Sequence, residues 1–206
     1  TPEVPGGVIE RDAKGEPTGI VKDAAKELVI RAIGAPTPDQ IVSIERSLTF
    51  LRRCCMAAAD EGGETEARLA VWSPPALVGG SRHYAVAKLG GAGLTLAALA
   101  QWRRVRPAAV ELAEMQALAR HIVSQQRADG GFQSLFAHRS GQHDPQWESL
   151  YYPGEAALGL ILLHEHDQAG GWLVPAVDAL RHLARQREGM LAPPPDHWAL
   201  MSTARL

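Results

Sequence analysis

The chain has 206 residues, 46% of them hydrophobic, enough for one domain with a substantial core. Its 21 Lys and Arg nearly balance 23 Asp and Glu, for a formal net charge of -2, which excludes a broad basic field for nucleic acid or an anionic membrane. The only cysteines are the adjacent Cys54 and Cys55, which excludes a disulfide framework, and the longest apolar run, Ala156 to Leu163, is too short to span a bilayer.

Residues 1–36 have a texture of their own, closely punctuated by Pro2, Pro5, Gly6, Gly7, Gly15, Pro17, Gly19, Gly34 and Pro36. They are expected to form an irregular arm, with a short strand at Val8-Ile9 and a helix from Lys22 to Ala32. Residues 37–206 are expected to form a single helical domain. Thr37 is a candidate N-cap with Asp39 in the first turn, and Ile41, Ile44, Leu48, Leu51 and Cys55 make one apolar face. Both cysteines are read as helix-packing residues. That helix fades at Asp60-Glu61-Gly62-Gly63, and Leu69 to Trp72 reads as a short strand.

From Tyr84 onward, helices of two kinds alternate. Ala85 to Trp102 is small and apolar; Pro107 opens an amphipathic helix through Val110, Leu112, Met115, Leu118, Ile122 and Val123. Asp129-Gly130-Gly131-Phe132 stops it, the glycines supplying the turn. Tyr151-Tyr152-Pro153-Gly154-Glu155 then opens a nearly all-apolar helix to about His166, as expected of a helix surrounded by others. Gly170-Gly171 turns the chain into an amphipathic helix from Trp172 to Arg187, and Pro193-Pro194-Pro195 leads to Asp196-His197-Trp198. Arg120 to Gln126 and Arg181 to Arg187 share wording, at nearly the spacing that separates the helix starts Gly91 and Gly154. Two units in step predict helical hairpins, about three in all, with apolar helices inside and amphipathic ones outside.

Two resemblances follow. Lys88-Leu89-Gly90-Gly91, the run from Gln125 to Phe132, the Tyr151 to Ala156 run and Pro195 to Trp198 resemble the (α/α) toroid superfamily of six-hairpin glycosidases and squalene-cyclase-like proteins. The resemblance covers about residues 40–206 and implies an all-α fold, an incomplete arc of the toroid. The acid motif of the terpenoid cyclases is not matched. Residues 1–50, through Pro5 to Asp12 and Gly15 to Ala24, resemble a fragment of the metal-dependent amidohydrolases related to N-substituted formamide deformylase. That family's metal-binding histidines lie outside such a segment.

In a toroid all inner helices run the same way, so their starts gather at one mouth. The candidate catalytic residues there are Glu155, Tyr152, His197 and Asp196, carboxylates with a phenol and an imidazole being the usual means of moving protons. Lys88, Tyr151, Trp198 and Asp129 are the candidate substrate-binding residues. Capping by Glu155 and Asp196, and turn-filling by the tyrosines, is the competing structural account. No cofactor or metal is expected: His164 and His166 have the His-x-His order of an amidohydrolase metal motif, but residues two apart on a helix point to different sides.

The expected function is a carbohydrate-active enzyme handling a glycan or a uronic-acid-containing substrate. The alternatives are a non-catalytic helical-repeat module that associates through an open inner face, and an amidohydrolase fragment. With no signal-peptide pattern, the expected location is the cytoplasm. Neither nucleic acid nor membrane is an expected partner.

Overall fold

The computed structural model describes residues 36–59, 67–73, 86–137 and 147–206. The strand and helix expected within residues 1–35 lie outside them. The first described helix, α1 (Pro38–Phe50), opens on a capping box in which Thr37 accepts from the Gln40 N–H and Gln40 reaches back to the Thr37 N–H. It passes through a π turn at Leu51–Cys55, which keeps Leu51 and Cys55 on the buried face with Ile44 and Leu48 and leaves Cys54 exposed.

The expectation of an all-α fold is overturned at this point. A four-stranded antiparallel sheet, in the order β1-β2-β3-β4, is built from β1 (Met56–Ala58), β2 (Leu69–Ser73), β3 (Val86–Lys88) and β4 (Leu135–Ala137). Three of its strands are three-residue pieces that intrinsic propensity does not mark. They are fixed by pairing partners distant in sequence, such as Met56 with Val71 and Ala87 with Phe136. β2 is buried on both faces: Val71 points into the main core, while Ala70 and Trp72 point the other way into a small cluster with Ala59 and Ala87, capped by Phe136. Residues 86–88, expected as the start of a helix, are therefore strand.

The remaining elements are α2 (Leu89–Val105), α3 (Leu112–Ser124), α4 (Tyr152–His164), α5 (Leu173–Arg187) and α6 (His197–Thr203), with Pro107–Ala109 and Gln168–Gly170 as single 3-10 turns. α2 and α4 are the inner pair. Leu89 to Trp102 are all buried, as are Gly154 to Leu163. Both helices are thus covered along these stretches.

They run parallel and unusually close. A Cβ added at Gly93 would fall 2.6 Å from the Ala156 nitrogen and the Glu155 carbonyl oxygen, and one at Gly159 would fall 2.6 Å from the Gly93 carbonyl oxygen. Glycine at both positions lets backbone meet backbone. α6 joins on the other side of α4, where a Cβ at Gly154 would fall 2.6 Å from the Ala199 nitrogen and where Ser202 donates to the Gly154 carbonyl at 3.0 Å. At the far ends Glu165 receives Arg104 from α2 at 3.2 Å and Arg205 from beyond α6 at 3.4 Å. α2 and α4 thus start at one end and finish at the other, and the short α6 packs along the first turn of α4.

Candidate functional site

The shared end holds the starts of α4 and α6 and the links that lead into them. α4 is opened by Pro153 in its first turn and by Ser149, whose hydroxyl accepts from the Tyr151 and Tyr152 N–H groups, each at 3.3 Å. Ser149 is itself tied down, its N–H donating to the Ser134 hydroxyl at 2.9 Å. α6 is opened by Asp196, which accepts from the Ala199 N–H at 3.1 Å and from the Arg187 guanidinium at 2.7 Å. That ion pair spans the link from α5 to α6, and the Asp196 side chain is 1% exposed.

The arrangement divides the eight sequence-predicted residues. Tyr151 and His197 meet with ring centroids 5.7 Å apart, and the neighbouring rings of His197 and Trp198 lie 4.8 Å apart, tilted by 41°. Of the four catalytic candidates His197 is exposed, while Glu155, Tyr152 and Asp196 are buried. Tyr152 and Glu155 are neighbours: burial first, then the Glu155 charge, push the Tyr152 phenol above its ordinary value. Both press on α2, where a Cβ at Gly90 would fall 2.1 Å from Glu155 Oε2 and 2.4 Å from Tyr152 Cδ1. Lys88 ends β3 opposite Leu135, just before Gly90.

Asp129 stands apart, in the turn after α3. Its carboxylate accepts from the Gly131 N–H at 2.9 Å and pairs with Arg127 at 3.3 Å, while its carbonyl accepts from Arg185 at 2.8 Å. The Gly131 hydrogen bond, opposed by burial and then aided by Arg127, holds its carboxyl below the usual aspartate range. These contacts join the α3 turn to α5.

A cleft of about 500 Å³ opens at this same end. Its walls mix apolar Phe132, Leu150, Pro153 and Pro194 with polar Arg127, Glu148, His182 and Arg187. The guanidinium of Arg127 pairs with Glu148 and that of Arg187 with Asp196. Tyr151 follows the cleft residue Leu150 in the chain, while neither Asp196 nor His197 is among the residues that line the cleft. Arg127, Glu148, His182 and Arg187 escaped sequence reasoning, because two sit in loops without periodicity and two on an amphipathic helix that reads as ordinary solvated surface. The shared Arg-His wording of the two outer helices was the available signal for His182.

Elsewhere, His166 bonds the Ala100 carbonyl at 2.9 Å, tying the end of α4 to α2. Among the described residues no group of three or more His, Cys, Asp or Glu could hold a metal ion, and no helix is long and apolar enough to cross a membrane.

No family model matches the chain. A stretch of 66 residues, 32% of the chain, is 36% identical to the putative amidohydrolase YtcJ of Bacillus subtilis (strain 168), of which it covers 12%. The crystal structure of a sugar epimerase from a ruminal bacterium is similar over 84% of this chain and 44% of the epimerase, with a TM-score of 0.52 and 12% sequence identity. The chain thus spans less than half of either relative, and the structural likeness shows a shared fold alone.

Proposed function

We propose that this chain forms part of a toroid-type enzyme acting on carbohydrate, with the ligand received at the end where α4 and α6 begin. The observation that carries the reading is the cleft there, which sets flat apolar surface from Phe132, Leu150 and Pro153 beside fixed polar groups from Arg127, Glu148 and Arg187. A sugar ring has the matching character, with apolar C–H faces and hydroxyl edges, and convergent polar groups in an apolar wall are what orients a small ligand. The likeness to a sugar epimerase supports the fold underneath it.

The reaction that fits is proton movement at a carbon next to a carbonyl, as epimerisation requires. His197 is the group assigned to it, being an exposed imidazole braced between Tyr151 and Trp198. Tyr151 serves as a contact for the ring. Glu155 and Tyr152 support the rim from behind, and Asp196 orients His197 through the start of α6. The glycan and the uronic acid expected from sequence are the two substrate classes to compare.

The test is a titration with neutral and uronate monosaccharides followed by saturation-transfer NMR, with reaction run in deuterium oxide. Binding in the range of about 0.1–10 mM is expected, with deuterium entering one sugar carbon and lost in His197→Gln. A panel that shows no binding overturns the reading.

The interaction-module reading keeps one observation in its favour. Leu200 and Met201 on α6 are 71% and 40% exposed, an apolar face on the last inner helix. Sedimentation of wild type against a Leu200→Ser, Met201→Ser double variant distinguishes it: a dimer lost in the variant supports association.

A further inference from the structure

We infer that the cleft takes a sugar acid, and that Arg127 and His182 together form the seat for its carboxylate. This inference rests on the carbohydrate reading and adds to it the charge of the ligand and the residues that select it.

Three of the side chains that line the cleft are basic, Arg127, His182 and Arg187, against the single acid Glu148. Arg187 is engaged by Asp196. Arg127 and His182 come from different elements, the turn after α3 and α5, and meet over Gly131. A Cβ added at Gly131 would clash with Arg127 Nη2 and fall 2.8 Å from His182 Nε2. The missing side chain lets the two nitrogens stand near enough to share one anionic group.

Each of them is held from behind. Arg127 gives Nε to Asp129 and Nη1 to Glu148, so Nη2 stands clear of both pairs. Gly131 is fastened by its N–H to the Asp129 carboxylate at 2.9 Å and by its carbonyl to the Arg127 N–H at 2.7 Å. His182 turns Nδ1 to the Asp129 carbonyl at 3.2 Å, with Asp129 Oδ2 3.7 Å away. A carbonyl only accepts, so Nδ1 carries a hydrogen whatever the charge of the ring. Nε2 is then the nitrogen that gains or loses the proton. Protonated, it donates to an anion beside Arg127; neutral, it presents a lone pair that an anion avoids.

The surrounding charges set which anion fits. Among the described residues they are Asp129 and Arg127 from the turn after α3, Glu148 from the segment before α4, Asp178, Arg181, Arg185 and Arg187 along α5, and Asp196 behind Arg187. With His182 neutral these formal charges cancel. The one positive charge that His182 gains on protonation therefore matches the single charge of a carboxylate, whereas a phosphate brings more. Binding takes up a proton, so it tightens as pH falls through the range in which histidine changes charge.

The experiment is calorimetric titration of the full chain with glucuronate, glucose 6-phosphate, methyl β-glucopyranoside and cyclohexanecarboxylate. Glucuronate is expected to bind at least about tenfold more tightly than the neutral glycoside. Raising the pH from about 6 to about 8 should weaken glucuronate at least about threefold and leave the glycoside unchanged. Gly131→Ala sets a methyl against both nitrogens, and His182→Phe keeps a ring without a donor. Each should weaken glucuronate at least about tenfold and the glycoside by no more than about twofold. A glycoside that binds as tightly as glucuronate, or a glucuronate affinity unmoved by pH and by both variants, overturns the seat and leaves the carbohydrate reading standing. Glucose 6-phosphate binding more tightly than glucuronate overturns the carboxylate. Cyclohexanecarboxylate binding as tightly as glucuronate, with the glycoside unbound, overturns the carbohydrate reading and leaves the seat. No binding by any of the four overturns both.

Discussion

The Glu155 carboxylate lies against the backbone of Gly90: a Cβ added there would fall 2.1 Å from Oε2. A carboxyl side chain at the start of one helix is thus accommodated by a missing side chain at the start of its neighbour. Glu155→Gln tests what the charge does, since the amide keeps the size and loses the titratable group. On the packing account, the variant binds sugar as wild type does and shifts the melting temperature by several degrees. Loss of deuterium exchange at an unchanged melting temperature would return Glu155 to the catalytic group.

The glycines of α2 make a sharper pair. At Gly93 an added methyl meets backbone at 2.6 Å on α4, while at Gly91 its nearest neighbour is the Val71 side chain at 3.6 Å. Helix propensity favours alanine over glycine by about 1 kcal/mol at either position. Overpacking costs about 1–3 kcal/mol and more against backbone, so it wins at Gly93 and is absent at Gly91. Gly93→Ala should lower stability by at least about 2 kcal/mol, and Gly91→Ala should raise it by about 0.5–1 kcal/mol. Urea unfolding of the two variants measures both, and equal effects would contradict the close helix contact.

Asp167 joins the two layers from the turn after α4, accepting at one oxygen from the Gln116 amide and the Trp172 indole, each at 2.8 Å. These bonds, Gln116 first and then Trp172, hold its carboxyl below the ordinary aspartate value. The unfolded chain therefore binds the proton more readily, and the stabilisation is present above about pH 4 and lost as pH falls through the lowered value. The melting temperature of wild type should drop more steeply between about pH 4 and 2 than that of Asp167→Ala, which lacks the group. Near neutral pH the variant should lose about 1–2 kcal/mol.

Burial, and then the neighbouring Cys54, push the Cys55 thiol up to about 12. Its folded value lies above the unfolded one, so its contribution is whole below about pH 9 and disappears as pH rises towards 12. Cys55→Ala should flatten the alkaline fall in melting temperature over that window. Under native conditions iodoacetamide should label the exposed Cys54 and spare Cys55 until the protein is unfolded. Equal labelling of both would contradict the buried face of the π turn.

The inner helices were legible in the sequence because each carries a strong local mark. Pro153-Gly154 opens α4, and the apolar run from Ala156 to Leu163 follows Glu155. The sheet was not legible, since β1, β3 and β4 are three residues long and owe their conformation to partners far along the chain. At the site, repeat spacing was enough to suggest that Tyr151 and His197 share an end. It could not tell which side chains face water: Glu155 is covered by α2, and Asp196 is taken up by Arg187 and the Ala199 N–H. Ser149 lies in a polar stretch without period, where nothing local distinguishes a cap from a loop.

The glycine contact between α2 and α4 also bears on how the chain reaches its native state. Gly93 must meet Gly159 across an intervening stretch that includes α3 and β4, so the most buried pair of helices is joined by a contact of long sequence separation. Closing such a loop is an entropic cost that comes before the contact stabilises anything. Helix content alone would suggest microsecond folding, whereas this topology should refold over about milliseconds to seconds. Stopped-flow refolding should show Gly93→Ala with a faster unfolding rate, and a slower folding rate as well if the two helices dock in the transition state.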